Sequence, residues 1–184
     1  VQMVPAPPSK PKTERLMQLA DLVVVTGSQA NVRAGYSSGT PALGVGAGNV
    51  VSIVDETAKI ADAAAKIAAS KTFDNATSCS SENAVIAVDA VYEELVEALA
   101  AEGGYCLDAA QTAHLQGIHW HNGKLTSKLL AKDIEVVLAE TGFADTAPAN
   151  TSFLVAPQGE FGPDHPMTGE KMSRFLALHR AGDF

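Results

Sequence analysis

Cysteine and positive charge are both scarce in this sequence, and each shortage excludes something. Cys79 and Cys106 are the only two cysteines in 184 residues. They stand far apart and in no CxxC pair, so neither a zinc-ligand set nor a disulfide framework is indicated, and a thiol-reducing compartment is expected. Thirteen basic residues face twenty-one acidic ones, for a formal charge of -8. That balance repels a polyanion, so nucleic acid is not an expected partner. No apolar run approaches the roughly 18 residues that span a bilayer, and the N-terminus has neither the charged start nor the apolar stretch of a signal peptide. The reading is a cytoplasmic protein with no membrane partner. With 46% hydrophobic residues the chain can bury a core.

The ends carry little that resembles a finished protein. Val1 to Lys12 holds four prolines (Pro5, Pro7, Pro8 and Pro11) and lacks an initiator methionine, while Leu176 to Phe184 reads as a strand leading toward another element. A piece of a longer chain, inactive by itself, is expected.

Between these ends, strand and helix signals alternate, which is the α/β pattern. Thr13 to Leu19 has helical spacing, and Leu22 to Val25 is a short apolar run of the kind buried on both faces of a parallel sheet. Thr26-Gly27-Ser28 follows, then a helix from Gln29 to Tyr36. Strand, glycine turn and helix start together make a corner where unpaired N–H groups can hold a phosphate; the same glycine also serves a plain tight turn. Gly44, Gly46 and Gly48 alternate with small residues and permit close backbone approach. They form no dinucleotide fingerprint, because Val50 to Val54 continues as a strand where a helix would be needed. Asp55-Glu56-Thr57 offers a cap for a helix through Ser70. A polar stretch from Lys71 to Asn83 carries Cys79, then come a strand from Ala84 to Val88 and a helix from Val91 to Ala100. Further helices are expected at Ala109 to Gln116 and Leu125 to Lys132, with strands at Ile134 to Leu138 and Phe153 to Val155.

Cys79 is the main candidate for chemistry. An isolated cysteine is commonly a small buried hydrophobe, but this one sits in Lys71-Thr-Phe-Asp-Asn-Ala-Thr-Ser-Cys-Ser-Ser-Glu-Asn83, too polar to be core. Thr77, Ser78, Ser80 and Ser81 are potential donors to a thiolate. His119-Trp120-His121 spaces two imidazoles for a strand-borne metal site but has no third ligand nearby, so no metal is expected. His165 reads as a loop brace and Cys106 as a packing residue.

Three segments in order resemble the CoA-acylating aldehyde dehydrogenases: Val25-Thr-Gly-Ser28, Ala34-Gly-Tyr-Ser-Ser-Gly-Thr-Pro-Ala-Leu-Gly-Val-Gly-Ala-Gly-Asn49 and Lys71 to Asn83. Asp55-Glu-Thr57, His165-Pro166 and Glu170-Lys-Met172 continue the likeness, which covers most of the chain. The resemblance implies a three-layer α/β/α fold with a largely parallel sheet. It implies that residues 1–46 end an NAD(P)-binding domain and that residues 47–184 begin the cysteine-bearing catalytic domain. By the same resemblance Cys79 is the nucleophile, with its own N–H helping to hold the oxyanion. Thr26, Gly27, Ser28, Gly44, Gly46 and Glu170 fall at cofactor positions, Glu170 as the carboxylate that binds the nicotinamide ribose.

The implied reaction is oxidation of a short aldehyde, acetaldehyde or sulfoacetaldehyde, to its acyl-CoA, with NAD or NADP as cofactor, coenzyme A as co-substrate and a homo-oligomer as the assembled form. The surroundings of Cys79 look most like the sulfoacetaldehyde branch, although Arg33, the tempting sulfonate partner, is expected to face solvent. Hydrolytic aldehyde dehydrogenases resemble the chain at the glycine segment but carry a Glu there, within Glu-Leu-Gly-Gly, that activates water. Leu43-Gly-Val-Gly46 has no carboxylate. A hydrolytic enzyme and a noncatalytic α/β module are the alternative readings. The chain also departs from its relatives at Arg174, where they usually carry proline.

Overall fold

A computed structural model describes residues 3–184. Its contacts divide the chain into two units, Val1–Ala47 and Gly48–Phe184.

In the first unit, helix α1 (Lys10–Leu19) leads to strand β1 (Val23–Thr26), helix α2 (Gln29–Tyr36) and strand β2 (Ala42–Val45). Strands β1 and β2 pair in parallel, Val23 opposite Ala42 and Thr26 opposite Val45. Val32 on α2 is buried against this pair, and Ser28 caps the helix by accepting from the Asn31 N–H.

The second unit begins with β3 (Val50–Val54), α3 (Ile60–Thr72), β4 (Glu82–Val88), α4 (Asp89–Ala101) and β5 (Gly104–Cys106). It continues with α5 (Ala109–His119), the short β6 (Trp120–His121) and β7 (Lys124–Leu125), α6 (Ile134–Thr141), β8 (Phe153–Gln158) and β9 (Phe175–Ala181). Five strands form one parallel sheet in the order β3-β4-β9-β8-β5. Side chains alternate across it, as the period of two requires. On β8 and β9, Phe153, Val155, Leu176 and Leu178 join the core under α3 and α4, where Ile60, Ala64, Ile67, Leu95 and Leu99 meet them. Leu154, Ala156 and Phe175 point the other way, into a second core with Leu115 of α5 and Ile134 and Val137 of α6. The expected three-layer α/β/α arrangement is therefore present.

Three local expectations are corrected. Ile134 to Leu138 is helix, not strand: Ile134 and Val137, three apart, are buried together, and Gly142 ends the helix at φ +70°. The β-branched residues there suggested a strand that packing overrides. Leu125 to Lys132 is not helical, because Asn122 and Gly123, at φ +50° and +70°, turn β6 into β7 as a two-residue hairpin. Asp55 caps no helix. Its carboxylate accepts from the Thr57 N–H and hydroxyl, at 2.9 and 2.6 Å, and α3 begins only at Ile60.

Candidate active site

The strands β3, β4 and β9 lie side by side and run in parallel, so the loops that enter them meet at one edge of the sheet. Those loops carry Gly48, Cys79 and Glu170. Gly48 precedes β3 by two residues, Cys79 precedes β4 by three, and Glu170 precedes β9 by five.

Cys79 is an exposed free thiol at the tip of a turn closed by the Ser81 N–H to the Ser78 carbonyl, 3.0 Å. A Cβ on Gly48 would stand 2.4 Å from the Cys79 carbonyl oxygen and 3.1 Å from its Cβ. Only a residue without a side chain fits there. The Gly48 N–H donates to Glu170 Oε1 at 3.2 Å, so one backbone position touches both the cysteine and the carboxylate. Asn49 Nδ2 donates to the Thr168 carbonyl at 3.0 Å and ties the same strand entry to the Glu170 loop.

The hydroxyls expected to surround a thiolate serve the loop itself. Thr77 donates to the Asp74 carboxylate at 2.7 Å, and the Ser78 and Ser80 hydroxyls bond each other at 2.8 Å. Ser81 Oγ is buried without a protein partner. Among the described residues no backbone carbonyl takes the Cys79 N–H.

Glu170 is half-buried, and its neighbour Lys171 fixes the loop that presents it. Lys171 is wholly buried. Its ammonium donates to the carbonyls of Met167 and Gly169, at 2.6 and 2.9 Å, and its N–H to Asn83 Oδ1 at 2.9 Å. Its carbonyl meets His119 Nε2 at 2.7 Å. With no carboxylate within hydrogen-bond reach, burial lowers the Lys171 pKa to about 7, and the charge of Lys71 adds to the fall. Lys71, also wholly buried, donates to the Glu82 carbonyl at 2.8 Å and is lowered to about 7 by burial, partly opposed by Glu82. Sequence reading missed Gly48, Asn83, Lys71 and Lys171 as site residues. Gly48 had a signal, as one of the three alternating glycines, whereas the others become visible only when β4 and β9 pair.

The cofactor candidates in the first unit gather at the carboxyl ends of β1 and β2. Thr26 ends β1, Gly27 turns the chain at φ +128° with its N–H on the Val45 carbonyl, and Ser28 caps α2. Gly46 follows β2 at the same end. Gly44 is accounted for by packing: a Cβ there would stand 2.6 Å from Val32 and 2.8 Å from the Tyr36 ring. Arg33 is exposed on α2.

The remaining candidates separate. His119 is buried at the end of α5, edge-on to Trp120 and Phe175, with its ring centroid 4.6 and 4.9 Å from theirs. Burial lowers its pKa to about 4. His121 is exposed, and no three His, Cys, Asp or Glu side chains cluster as metal ligands among the described residues. His165 Nδ1 lies 3.5 Å from the Glu160 carboxylate on an exposed loop. Cys106 is partly buried against the α3 and α4 core, and burial, with Glu93, raises its pKa. No helix among the described residues is long and apolar enough to cross a membrane.

Comparison with known proteins places this architecture. The chain is 51% identical over 184 residues to the sulfoacetaldehyde dehydrogenase (acylating) of Cupriavidus necator, covering all of this chain and 37% of that protein. Along its whole length the chain is similar to part of an acylating aldehyde dehydrogenase. An engineered glycolyl-CoA reductase with bound NADP+ superposes with a TM-score of 0.85 and 31% identity, covering 96% of this chain and 40% of that one. The propionaldehyde dehydrogenase of Rhodopseudomonas palustris, solved with bound CoA and an acylated cysteine, gives 0.83 and 29% over 96% and 40%. The chain thus spans well under half the length of the relatives it matches. No family model matches it.

Proposed function

We infer that this chain supplies the phosphate-binding turn and the nucleophile of an enzyme that converts a short aldehyde to its acyl-CoA. Residues up to about 46 act as the end of the NAD(P)-binding domain, and the remainder as the start of the catalytic domain. The observation that carries the reading is the convergence of Gly48, Cys79 and Glu170 at the entry edge of three neighbouring parallel strands. A structural cysteine would be packed away, whereas this one is exposed on a turn that packs against Gly48.

The dinucleotide fits the residues present. Gly27 and Ser28 set the first N–H groups of α2 at the carboxyl ends of a parallel strand pair, the place where a pyrophosphate is held in open α/β sheets. NAD or NADP, when bound, accepts the hydride. Glu170 is the group to orient the nicotinamide ribose, since its carboxylate is anchored by the Gly48 N–H.

The Cys79 thiolate adds to the aldehyde carbonyl and forms a C–S bond. The carbonyl oxygen takes the negative charge beside the Cys79 N–H, which is a donor for it. Loss of hydride from that carbon restores the carbonyl as a thioester on Cys79. The thiolate of coenzyme A then attacks, the Cys79 thiolate leaves, and the acyl group departs as acyl-CoA. Hydrolysis is slow by comparison, because Leu43-Gly-Val-Gly46 offers no carboxylate to activate water, an omission that costs about 10² to 10⁴ in rate.

Sulfoacetaldehyde is the favoured substrate, supported by the 51% identity to an enzyme of that name. The assembled form is proposed to be a homo-oligomer. Product analysis tests the reaction: the protein carrying this segment should make acyl-CoA from sulfoacetaldehyde, NAD(P) and coenzyme A, and Cys79→Ser should make none. Free acid formed without coenzyme A would favour the hydrolytic alternative and overturn the proposal.

A further inference from the structure

The chain entering the Cys79 turn is in a conformation that side chains ordinarily avoid. Asp74, Asn75 and Ala76 follow one another at φ +47°, +52° and +57°. Aspartate and asparagine tolerate the left-handed region better than most residues, yet three in succession persist only when the surroundings hold them.

The surroundings that hold them are specific. Asn75 Nδ2 donates to Asp133 Oδ1 at 2.9 Å, and Asn75 Oδ1 accepts from Arg174 Nε at 2.8 Å. Arg174 Nη1 also reaches the Ser152 carbonyl at 3.4 Å. Asp133 occupies the position that caps α6, where an aspartate normally accepts from the first turn of its own helix. Here it makes no such bond, and its carboxylate goes to Asn75 instead. Arg174 stands immediately before β9, four residues after Glu170. The chain Asp133-Asn75-Arg174 therefore reaches from α6 through the Cys79 loop to the strand that carries the Glu170 loop.

We propose that Asp133, Asn75 and Arg174 are positioning residues that set the Cys79 sulfur in register with Glu170. The inference rests on Cys79 being the nucleophile proposed above. Arg174 acts on Cys79 only through Asn75.

Two rates measured on the protein carrying this segment test the inference. One is alkylation of Cys79 by iodoacetamide, with Cys106 as internal control. The other is transfer of the acyl group from acetyl-CoA onto Cys79. Asn75→Gly keeps a backbone that accepts φ +52° but deletes the clamp, and should slow both Cys79 rates about tenfold while leaving Cys106 unchanged. Arg174→Leu should do the same, and the double variant should be no slower than either single one. Asn75→Asp alone sets two carboxylates against each other, whereas Asn75→Asp with Asp133→Asn restores a donor and an acceptor at each contact and should recover most of the rate. Additive losses, or no recovery in the exchanged pair, would overturn the proposal even if Cys79 is acylated normally in the parent protein. A parent protein with no acylation at Cys79 would sink the nucleophile assignment first and this inference with it.

Discussion

The two units place their candidate groups at opposite ends of their strands. In the first, Thr26, Gly27, Ser28 and Gly46 cluster at the carboxyl ends of β1 and β2, and the useful groups are backbone N–H donors at a helix start. In the second, Gly48, Cys79 and Glu170 cluster at the entry to β3, β4 and β9, and side chains do the work. The first kind of site comes from a single strand-turn-helix and needs little beyond local geometry. The second depends on loops far apart in sequence being pinned to one another.

Substitutions at the two sites should therefore differ in size. Gly48→Ala should have the largest effect, because a Cβ 2.4 Å from the Cys79 carbonyl oxygen displaces both the turn and the Glu170 contact. A loss of about 10² in acyl-CoA formation is expected, with thermal unfolding as the control for global damage. If Gly48→Ala were harmless, the second unit's site would be no more constrained than the first's.

Acidification comes next. Folded His119 resists protonation until about pH 4, whereas an unfolded histidine binds its proton near 6.5. Between those values the unfolded state carries the extra proton, so stability is full above pH 6.5 and declines as pH falls toward 4, by roughly 3 kcal/mol from this group. Lys71 and Lys171 act in the same direction at higher pH. Their folded values near 7, against the ordinary 10.5, mean that stability declines as pH falls from 10.5 to 7. Denaturant midpoints across pH check this, and the His119 part should vanish in His119→Gln. The first unit has no such buried base among its described residues, so a fluorescent label on it should report no matching transition.

The smallest effect is expected at the first unit's own site. Ser28→Ala removes the α2 cap and should cost about 1 kcal/mol of stability, with weaker dinucleotide binding by calorimetry and unchanged iodoacetamide reactivity at Cys79. A change at Cys79 as large as that from Gly48→Ala would erase the distinction.

The same contrast explains what was legible in the sequence. The α2 helix from Gln29 to Tyr36 and the β3 strand from Val50 to Val54 match their expected limits, because apolar spacing and flanking turn residues encode them locally. The parallel α/β class followed from the alternation of such signals. Ile134 to Leu138 misled because branched residues on a short helix look like a strand until Gly142 and the second core are considered. Asn122-Gly123 was a hairpin signal that the leucines after it concealed. Cys79 was nameable from its flanks and from the family likeness, and Glu170 from the likeness alone. Their supports were not: Gly48 to Glu170, Lys171 to Asn83 and Arg174 to Asn75 are 122, 88 and 99 residues apart. No local pattern specifies such pairs, since strand pairing brings them together.

The account turns on whether Cys79 carries acyl groups, and peptide mapping by mass spectrometry answers that directly. After incubation of the protein carrying this segment with acetyl-CoA and a rapid acid quench, the acetyl mass should sit as a hydroxylamine-labile thioester on the peptide containing Cys79 and be absent from the Cys106 peptide. Acetyl on neither cysteine, or equally on both, would contradict it.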